Sequence, residues 1–427
     1  MSSSIQNPGP SKIPCYGIWC VFALTIMLLP FFFTSRFSIS LFSQIGISCV
    51  FALSYNMLLG QGGMLSFGHA VFMGLGGFIA VHALNLISEN TLPVPLELLP
   101  LIGGLGGAFF GSIFGYLCCR REGTPFALIT LGIVELFASG ALMFPSFFGG
   151  EEGVSGNRMI KNTLTGFDFG SEIEVYFLIG SWTFLCVLCM YLQTQTPLGR
   201  LANAVRDNPI RASFIGYNPS HVRFLQFVLS GFFAGTAGGL FIIRYEIIAY
   251  DALGLVPSGN VLFMTYIGGV GHFMGPILGA ILISILQLVL IHYTEAWQLY
   301  FGLLFMAMVL WAPGGLSWLL IVHQPVWKAG LMSKLLPSYL QALATGLIFF
   351  LGLIIFIEIN YHLSLSIEPG APLELFGLVM DGHSVVPWST AISCLILGLW
   401  LFRHSVKMVA AQWDAVMVII TKKTLER

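Results

Sequence analysis

Runs of apolar residues recur along this chain from end to end, and most polar positions collect in the short gaps between them. Each run approaches the ~20 residues that an α-helix needs to cross about 30 Å of hydrocarbon. The pattern predicts twelve crossings, near 16–35, 40–59, 66–87, 98–118, 125–147, 174–192, 222–243, 256–271, 275–292, 297–312, 341–360 and 386–402. The eighth and ninth are short and joined by GGVGHFMGP, a sequence that also fits one broken or re-entrant pair. The expected fold is all-α: a polytopic integral membrane protein with a ten-span body and a two-span C-terminal extension. Its expected divisions are a tail at 1–15, a transmembrane body at 16–315, a cytoplasmic linker at 316–340 and an appendage at 341–427. Only Lys12 precedes the first span as a basic residue and no A-x-A pattern follows it, so a retained helix is expected rather than a cleaved signal peptide.

Composition agrees with lipid as the main solvent. Of 427 residues, 56 % are hydrophobic and 9 % charged, where a soluble chain carries roughly 25 % charged residues. Eighteen basic residues face nineteen acidic ones, which leaves no surplus charge for a nucleic-acid partner held by counterion release. Lysine and arginine favour cytoplasmic loops. An inside amino terminus puts fourteen of them on the inner side, among them Arg120, Arg200, Arg206 and Arg211, and four outside, Arg36, Arg158, Lys161 and Arg244. Both termini are therefore expected in the cytoplasm. Two loops are long: an outer one at about 148–173 and an inner one at about 193–221.

Forty-nine glycines cluster within the spans, at 60–78, 103–111, 231–239 and 267–280. Small residues let helices touch through their backbones, so tight packing explains most of them. Two of the clusters also interrupt helices: Gly68-His69 precedes Met73-Gly74, and Gly271-His272 precedes Met274-Gly275. Paired interruptions in the two halves of a membrane protein point to a translocation path. Glu135, in ALITLGIVELFASG, is the carboxylate placed well inside a span. It costs about 2.5–3.5 kcal/mol there unless it meets water or a partner. The expected pathway residues are Ser66, Gly68, His69, Glu135, Gly268, Gly269 and Gly271. His69 and His82 also suit ordinary packing, with a neutral imidazole donating to a carbonyl.

Catalytic motifs are absent. No G-x-x-x-x-G-K-[ST], H-E-x-x-H or G-x-S-x-G occurs, and neither a catalytic residue nor a metal site is expected. The adjacent Glu151 and Glu152 read as a solvated pair. Cys186 and Cys189 form a C-x-x-C inside the apolar run FLCVLCMYL, which favours core packing over redox or zinc chemistry. Cys118 and Cys119 adjoin Arg120 at a membrane edge.

The stretch TPLGRLANAVRDNPIRASFIG at 196–216 is amphipathic yet lies outside the predicted spans. Pro197 suits a first helical turn, Leu201, Ala204 and Val205 recur at i, i+3, i+4, and Asn208-Pro209 ends the helix. Such an arginine-edged helix suits either the membrane interface or a groove on a cytosolic partner.

Five segments taken in order extend this reading: SYNMLLGQGGMLSFGHAVFMGLGGF at 54–78, GGEEGVSGN at 149–157, PLGRLANAVRDNPIRASFIGYN at 197–218, FVLSGFFAGTAGGL at 227–240 and IGGVGHFMGPILGA at 267–280. Together they resemble permease subunits of the branched-chain amino-acid ABC importer family, which also holds urea and short-amide importers. The wording of GQGGMLSFGHA and GGEEGVSGN resembles the amino-acid branch. The resemblance covers about 50–315. It implies a sister permease, two cytosolic ATPase subunits that bind ATP and magnesium, and a periplasmic solute-binding protein, in a bacterial inner membrane. It also implies no cofactor in this chain. By the same resemblance Pro197, Leu198, Gly199, Arg200, Ala204, Arg206, Asp207, Asn208, Arg211 and Gly216 belong to the ATPase-coupling loop. Gly150, Glu151, Glu152, Gly153, Ser155, Gly156 and Asn157 would receive the binding protein. Members of the family usually end soon after a motif like WAPGGL at 311–316, so the resemblance is silent on the last 110 or so residues. Rival readings are an ion-coupled carrier using Glu135 and His69, a passive channel, and a membrane-embedded enzyme.

Overall fold

The computed structural model describes residues 15–159, 163–164, 166–312, 314–365, 373–375, 378–380 and 384–425. It separates into two compact units, Met1–Gln287 with Met308–Ser317, and Leu288–Ala307 with Trp318–Arg427. Sixteen α-helices are described: α1 Cys15–Phe32, α2 Arg36–Asn56, α3 His69–Ser88, α4 Leu99–Cys118, α5 Thr124–Met143, α6 Pro145–Phe148, α7 Glu172–Gln195 and α8 Pro197–Asp207, then α9 Pro209–Phe214, α10 Pro219–Tyr245, α11 Leu255–Gly268, α12 Gly275–Tyr293, α13 Trp297–Trp311, α14 Gly315–Lys328, α15 Met332–Leu365 and α16 Val385–Leu425. Strand content is limited to two two-stranded pairs, β1 Val154–Ser155 with β2 Ile247–Ile248 and β3 Leu373–Leu375 with β4 Leu378–Met380.

Among the described residues eight helices are long and apolar enough to cross a membrane: α2, α3, α4, α5, α7, α10, α15 and α16. The bent pair α13–α14 makes a ninth if it counts as one span. The other expected crossings coincide with shorter helices, α1, α11 and α12. The protein is thus an all-α, polytopic membrane protein with eight or nine long apolar helices. The stretch expected as a linker, 316–340, is largely helical, shared between α14 and the start of α15.

In the first unit α10 lies at the centre, with most of its residues from Ser230 to Ile243 buried. Its glycines face those of α4 and α3. A Cβ on Gly107 would run into the Gly231 carbonyl, one on Gly235 into the Gly103 carbonyl, and one on Gly238 into the Met73 carbonyl. These helices therefore meet backbone to backbone, which maximises dispersion contacts where lipid offers no hydrophobic drive between helices. The packing role expected for the clusters at 103–111 and 231–239 is the one the structure gives them.

Within the second unit α15 and α16 form a hairpin that uses the same device. Gly352 faces Cys394 and Leu395, and Gly398 faces Phe349. Ile355, Ile359 and Ala391 form one buried cluster of the hairpin. A second joins Val326 of α14, Leu335 of α15 and Val416 of α16. At ~1.5 Å per residue the 41-residue α16 is about 61 Å long, twice the hydrocarbon thickness.

Candidate functional site

The first unit has two distinct ends, joined by α3. Its N-terminal end lies near α8, where Arg206 packs on Gly63. Its C-terminal end meets β1, where Asn85 donates to the Ser155 carbonyl at 3.0 Å. Functional features collect at both.

At the first end, the expected helix at 197–207 is α8. Thr196 caps it by accepting from Gly199 N–H at 3.3 Å, and Pro197 opens its first turn. Its buried stripe differs from expectation. Leu198, Leu201, Ala202 and Val205 pack with Ala212 and Val222, an i, i+3, i+4, i+7 face, whereas Ala204 is exposed beside Arg200. Asn208 ends α8 as expected, and it also starts α9, because its Oδ1 accepts from Arg211 N–H at 2.9 Å. Gly216, at φ +91°, closes that turn. The large apolar side chains of α9 and its exit are bare: Ile210 is 67 % exposed, Phe214 85 % and Ile215 64 %.

Two broken helices end beside α8. Chain α2 does not stop at Asn56 but widens into a π-helical turn, Met57–Gln61, and then runs as non-helical chain to His69. Such turns carry one extra residue and are frequent at functional sites. The other break separates α11 from α12 at residues 269–274. The breaks touch: a Cβ on Gly60 would lie 2.6 Å from the Val270 carbonyl oxygen. Gly269, at φ +113°, packs against Gly315, at φ +70°. Gly268 lies against Gly275, whereas Gly271 stands in open space. Arg206 of α8 reaches this junction and donates to the Gly60 carbonyl while also pairing with Asp207 at 2.9 Å. The clusters at 60–78 and 267–280 thus touch at Gly60 and Val270, while Gly68 packs on Thr130 and does not meet Gly271.

Three glutamines brace the π-turn. Gln226 of α10 is fully buried. Its Nε2 donates to the Met57 carbonyl at 3.1 Å and to Gln61 Oε1 at 2.9 Å, and its Oε1 accepts from Gln193 of α7 at 2.8 Å. Sequence reading passed over this triad.

The non-helical segment after the turn is satisfied from within the protein. Tyr55 donates to the Ser66 carbonyl at 2.9 Å, Phe67 N–H to Thr130 Oγ1 at 3.1 Å, and Gly68 N–H to Ser66 Oγ at 3.3 Å. Ala70 N–H donates to Ser258 at 3.2 Å. Irregular backbone at membrane depth requires such partners. His69 is fully buried, 2.9 Å from Ser54 Oγ. Because Ser54 itself donates to the Phe51 carbonyl at 2.7 Å, the imidazole Nε2 carries the hydrogen toward Ser54, and the ring stacks on Phe51 at 5.4 Å. His82 donates to the Phe147 carbonyl at 2.8 Å, the packing use foreseen for it. Glu135 stands apart, exposed on α5.

At the other end GGEEGVSGN forms a pinned turn. Gly149, Gly150 and Gly153 have φ of +74°, +66° and +76°, and Gly153 abuts the Ile248 carbonyl. Ser155 pairs with Ile247 in the β1–β2 ladder, Gly156 N–H donates to the Glu246 carbonyl at 2.8 Å, and Asn157 accepts from Met159 N–H at 2.9 Å. Glu151 and Glu152 are exposed. The anchor is Arg158, only 6 % exposed. It donates to the carbonyls of Phe169, Ile243 and Arg244 at 2.9–3.1 Å and pairs with Glu172 at 3.4 Å. Glu172 also pairs with Arg244 at 2.8 Å. The sequence placed Arg158 in an outer loop and gave no sign that it is buried.

Among the described residues no group of three His, Cys, Asp or Glu side chains comes together as a metal site, and Cys186 and Cys189 are free thiols.

A bundle of apolar helices in which two helix breaks meet beside the amphipathic helix α8 suits a transport permease. The comparisons agree. Residues 37–313 match the family described as branched-chain amino acid transport system / permease component, and the chain belongs to that family. It is a permease subunit of the ABC-importer type, a mover of small polar solutes rather than an enzyme. It is similar to the high-affinity branched-chain amino acid transport system permease protein LivM of Salmonella typhimurium, 27 % identical over 311 residues that cover 67 % of this chain and 71 % of that protein. BraD of Pseudomonas aeruginosa, a permease of the same description, is 24 % identical over 254 residues, 55 % and 79 % of the two chains. The fructose import permease protein FrcC of Rhizobium meliloti is 30 % identical over 202 residues, 44 % and 54 %. No solved structure matches.

Proposed function

We propose that this chain is the transmembrane subunit of an ATP-driven importer that carries branched-chain or related amino acids across a bacterial inner membrane by alternating access. It works with a sister permease, two cytosolic ATPase subunits that bind ATP and magnesium, and a periplasmic binding protein. Both termini lie in the cytoplasm, and the body has ten spans, counting the shorter helices α1, α11, α12 and α13, with α15 and α16 as two more. The α8–α9 turn is the ATPase-coupling element, and the GGEEGVSGN turn receives the binding protein.

The observation that carries this reading is the bare apolar tip of α9, Ile210, Phe214 and Ile215, mounted on a helix that holds the junction of both breaks through Arg206. An apolar knob edged by Arg200 and Arg211 suits a protein groove. A push on it passes through Arg206 to the Gly60 carbonyl, so closing of the ATPase dimer acts directly on the π-turn of α2. At the opposite end, Arg158 and its carbonyl partners make the receiving turn stiff, which lowers the entropy lost on docking.

The replacement Phe214→Asp tests it. Copurification of the ATPase subunits and solute uptake should both fall steeply while the permease still reaches the membrane. Normal uptake by this variant contradicts the coupling assignment. A sugar as cargo is the second reading, supported by the identity to the fructose permease. Competition between leucine and fructose for uptake separates the two.

A further inference from the structure

We propose that the exposed face of α5 borders the aqueous transit path, with the Glu135 carboxylate receiving the ammonium group of a zwitterionic solute. The inference rests on the import reading above and adds a site to it.

Glu135 is the twelfth of the twenty residues of α5, at mid-span. It is exposed in this subunit, and no described residue gives it a hydrogen bond or an ion pair. The helix contains no lysine or arginine to neutralise it. Hydrocarbon is a poor environment for such a group, and ionisable residues inside membranes mark water-filled paths or partners. Gly132 and Gly140, on the turns before and after, have no neighbour within 4 Å of an added Cβ. Gly132, three residues before Glu135, thus leaves room beside the carboxylate, unlike the backbone-packed glycines of α4 and α10.

A second observation continues the path. Helix α5 packs against the turn Tyr250–Leu253 and against α11. That turn and α11 help line a cavity of about 450 Å³. Asp251, Asn260 and Gln287 supply its polar groups, and Phe241, Ile248 and Val256 much of its apolar wall. No basic residue lines it. The cavity adjoins β2, at the end where the binding protein is assigned, and Glu135 lies on the helix that packs against its wall. Two carboxylates on neighbouring elements, Asp251 in the cavity wall and Glu135 on α5, with apolar walls and no lining cation, suit a solute bearing an ammonium group and an apolar side chain. They disfavour a neutral sugar or a free carboxylate.

The test uses the complete importer in proteoliposomes, with the membrane-impermeant thiol reagent MTSET and L-leucine as probes. In Glu135→Cys, MTSET should block uptake far faster than in the native chain, and leucine should slow the modification. Glu135→Gln should raise the KM for leucine about tenfold, the loss of one charge-assisted hydrogen bond, with ATP hydrolysis still stimulated by loaded binding protein. Glu135→Asp should recover most of the affinity, which separates a charge requirement from misfolding. An inert cysteine in an importer that carries leucine overturns the assignment, since it places α5 against lipid or protein. An unchanged KM in Glu135→Gln overturns the ammonium contact. If instead the cysteine reacts but the native importer does not carry leucine, the amino-acid reading fails and the path along α5 stands.

Discussion

At the scale of single residues, the account rests most on Gln226. Its amide satisfies a carbonyl and two other glutamines in a fully buried site. Gln226→Leu keeps the volume but strands all three partners. At ~1–3 kcal/mol for each buried polar group left unpaired, the loss is about 3 kcal/mol or more, read as a lower melting temperature of the solubilised protein. Equal stability would show that the triad does not hold the π-turn. The sequence did contain a signal, an amide within an apolar run at 222–243, but Glu135 and the histidines, as ionisable groups, are the more conspicuous polar residues of the spans. Cys119 supports a second prediction. It is 2 % exposed, and burial, helped by the adjacent Cys118, pushes its thiol up to about 12. Since the thiolate is the reactive form, maleimide should leave Cys119 unmodified at neutral pH in the folded protein. Rapid alkylation before unfolding would contradict its placement. A side chain this enclosed is a poor acylation site, which the sequence, showing only a membrane-edge cysteine beside Arg120, could not decide.

Elements were legible where one period governs them. The long spans follow from length and hydropathy, and α8 from its cap, its proline and its stripe. The short helices α11 and α12 were legible only as an ambiguity, because a span near the length limit gives no sign of how it folds at a break. The stripe of α8 was misassigned at Ala204 because a small residue fits either face; the neighbouring Ala202 takes the buried position through contact with Ala212 and Val222. Glycine clusters show the same limit. Sequence treats Gly235 and Gly132 alike, yet one abuts the Gly103 carbonyl and the other has open space. Gly235→Ala should therefore force α4 and α10 apart and reduce folded yield, while Gly132→Ala should leave yield unchanged. Similar yields for both would contradict the backbone contact between these helices.

On the scale of the whole molecule, the two units divide what the family accounts for from what it does not. The match at residues 37–313 falls mostly in the first unit, whose two ends carry the α8–α9 turn and the pinned hairpin. The second unit has its own glycine-packed hairpin and buried clusters, and its sequence carries no motif that names a chemistry. Direction of transport was legible only through resemblance, since the proposed source of energy lies in other chains. The most direct measurement is uptake of labelled leucine by proteoliposomes that hold either this chain alone or the chain with a sister permease, ATPase subunits and binding protein. Accumulation only with the full set, only with ATP, and lost in Phe214→Asp is the predicted result. Accumulation by the isolated chain on an ion gradient would contradict the account.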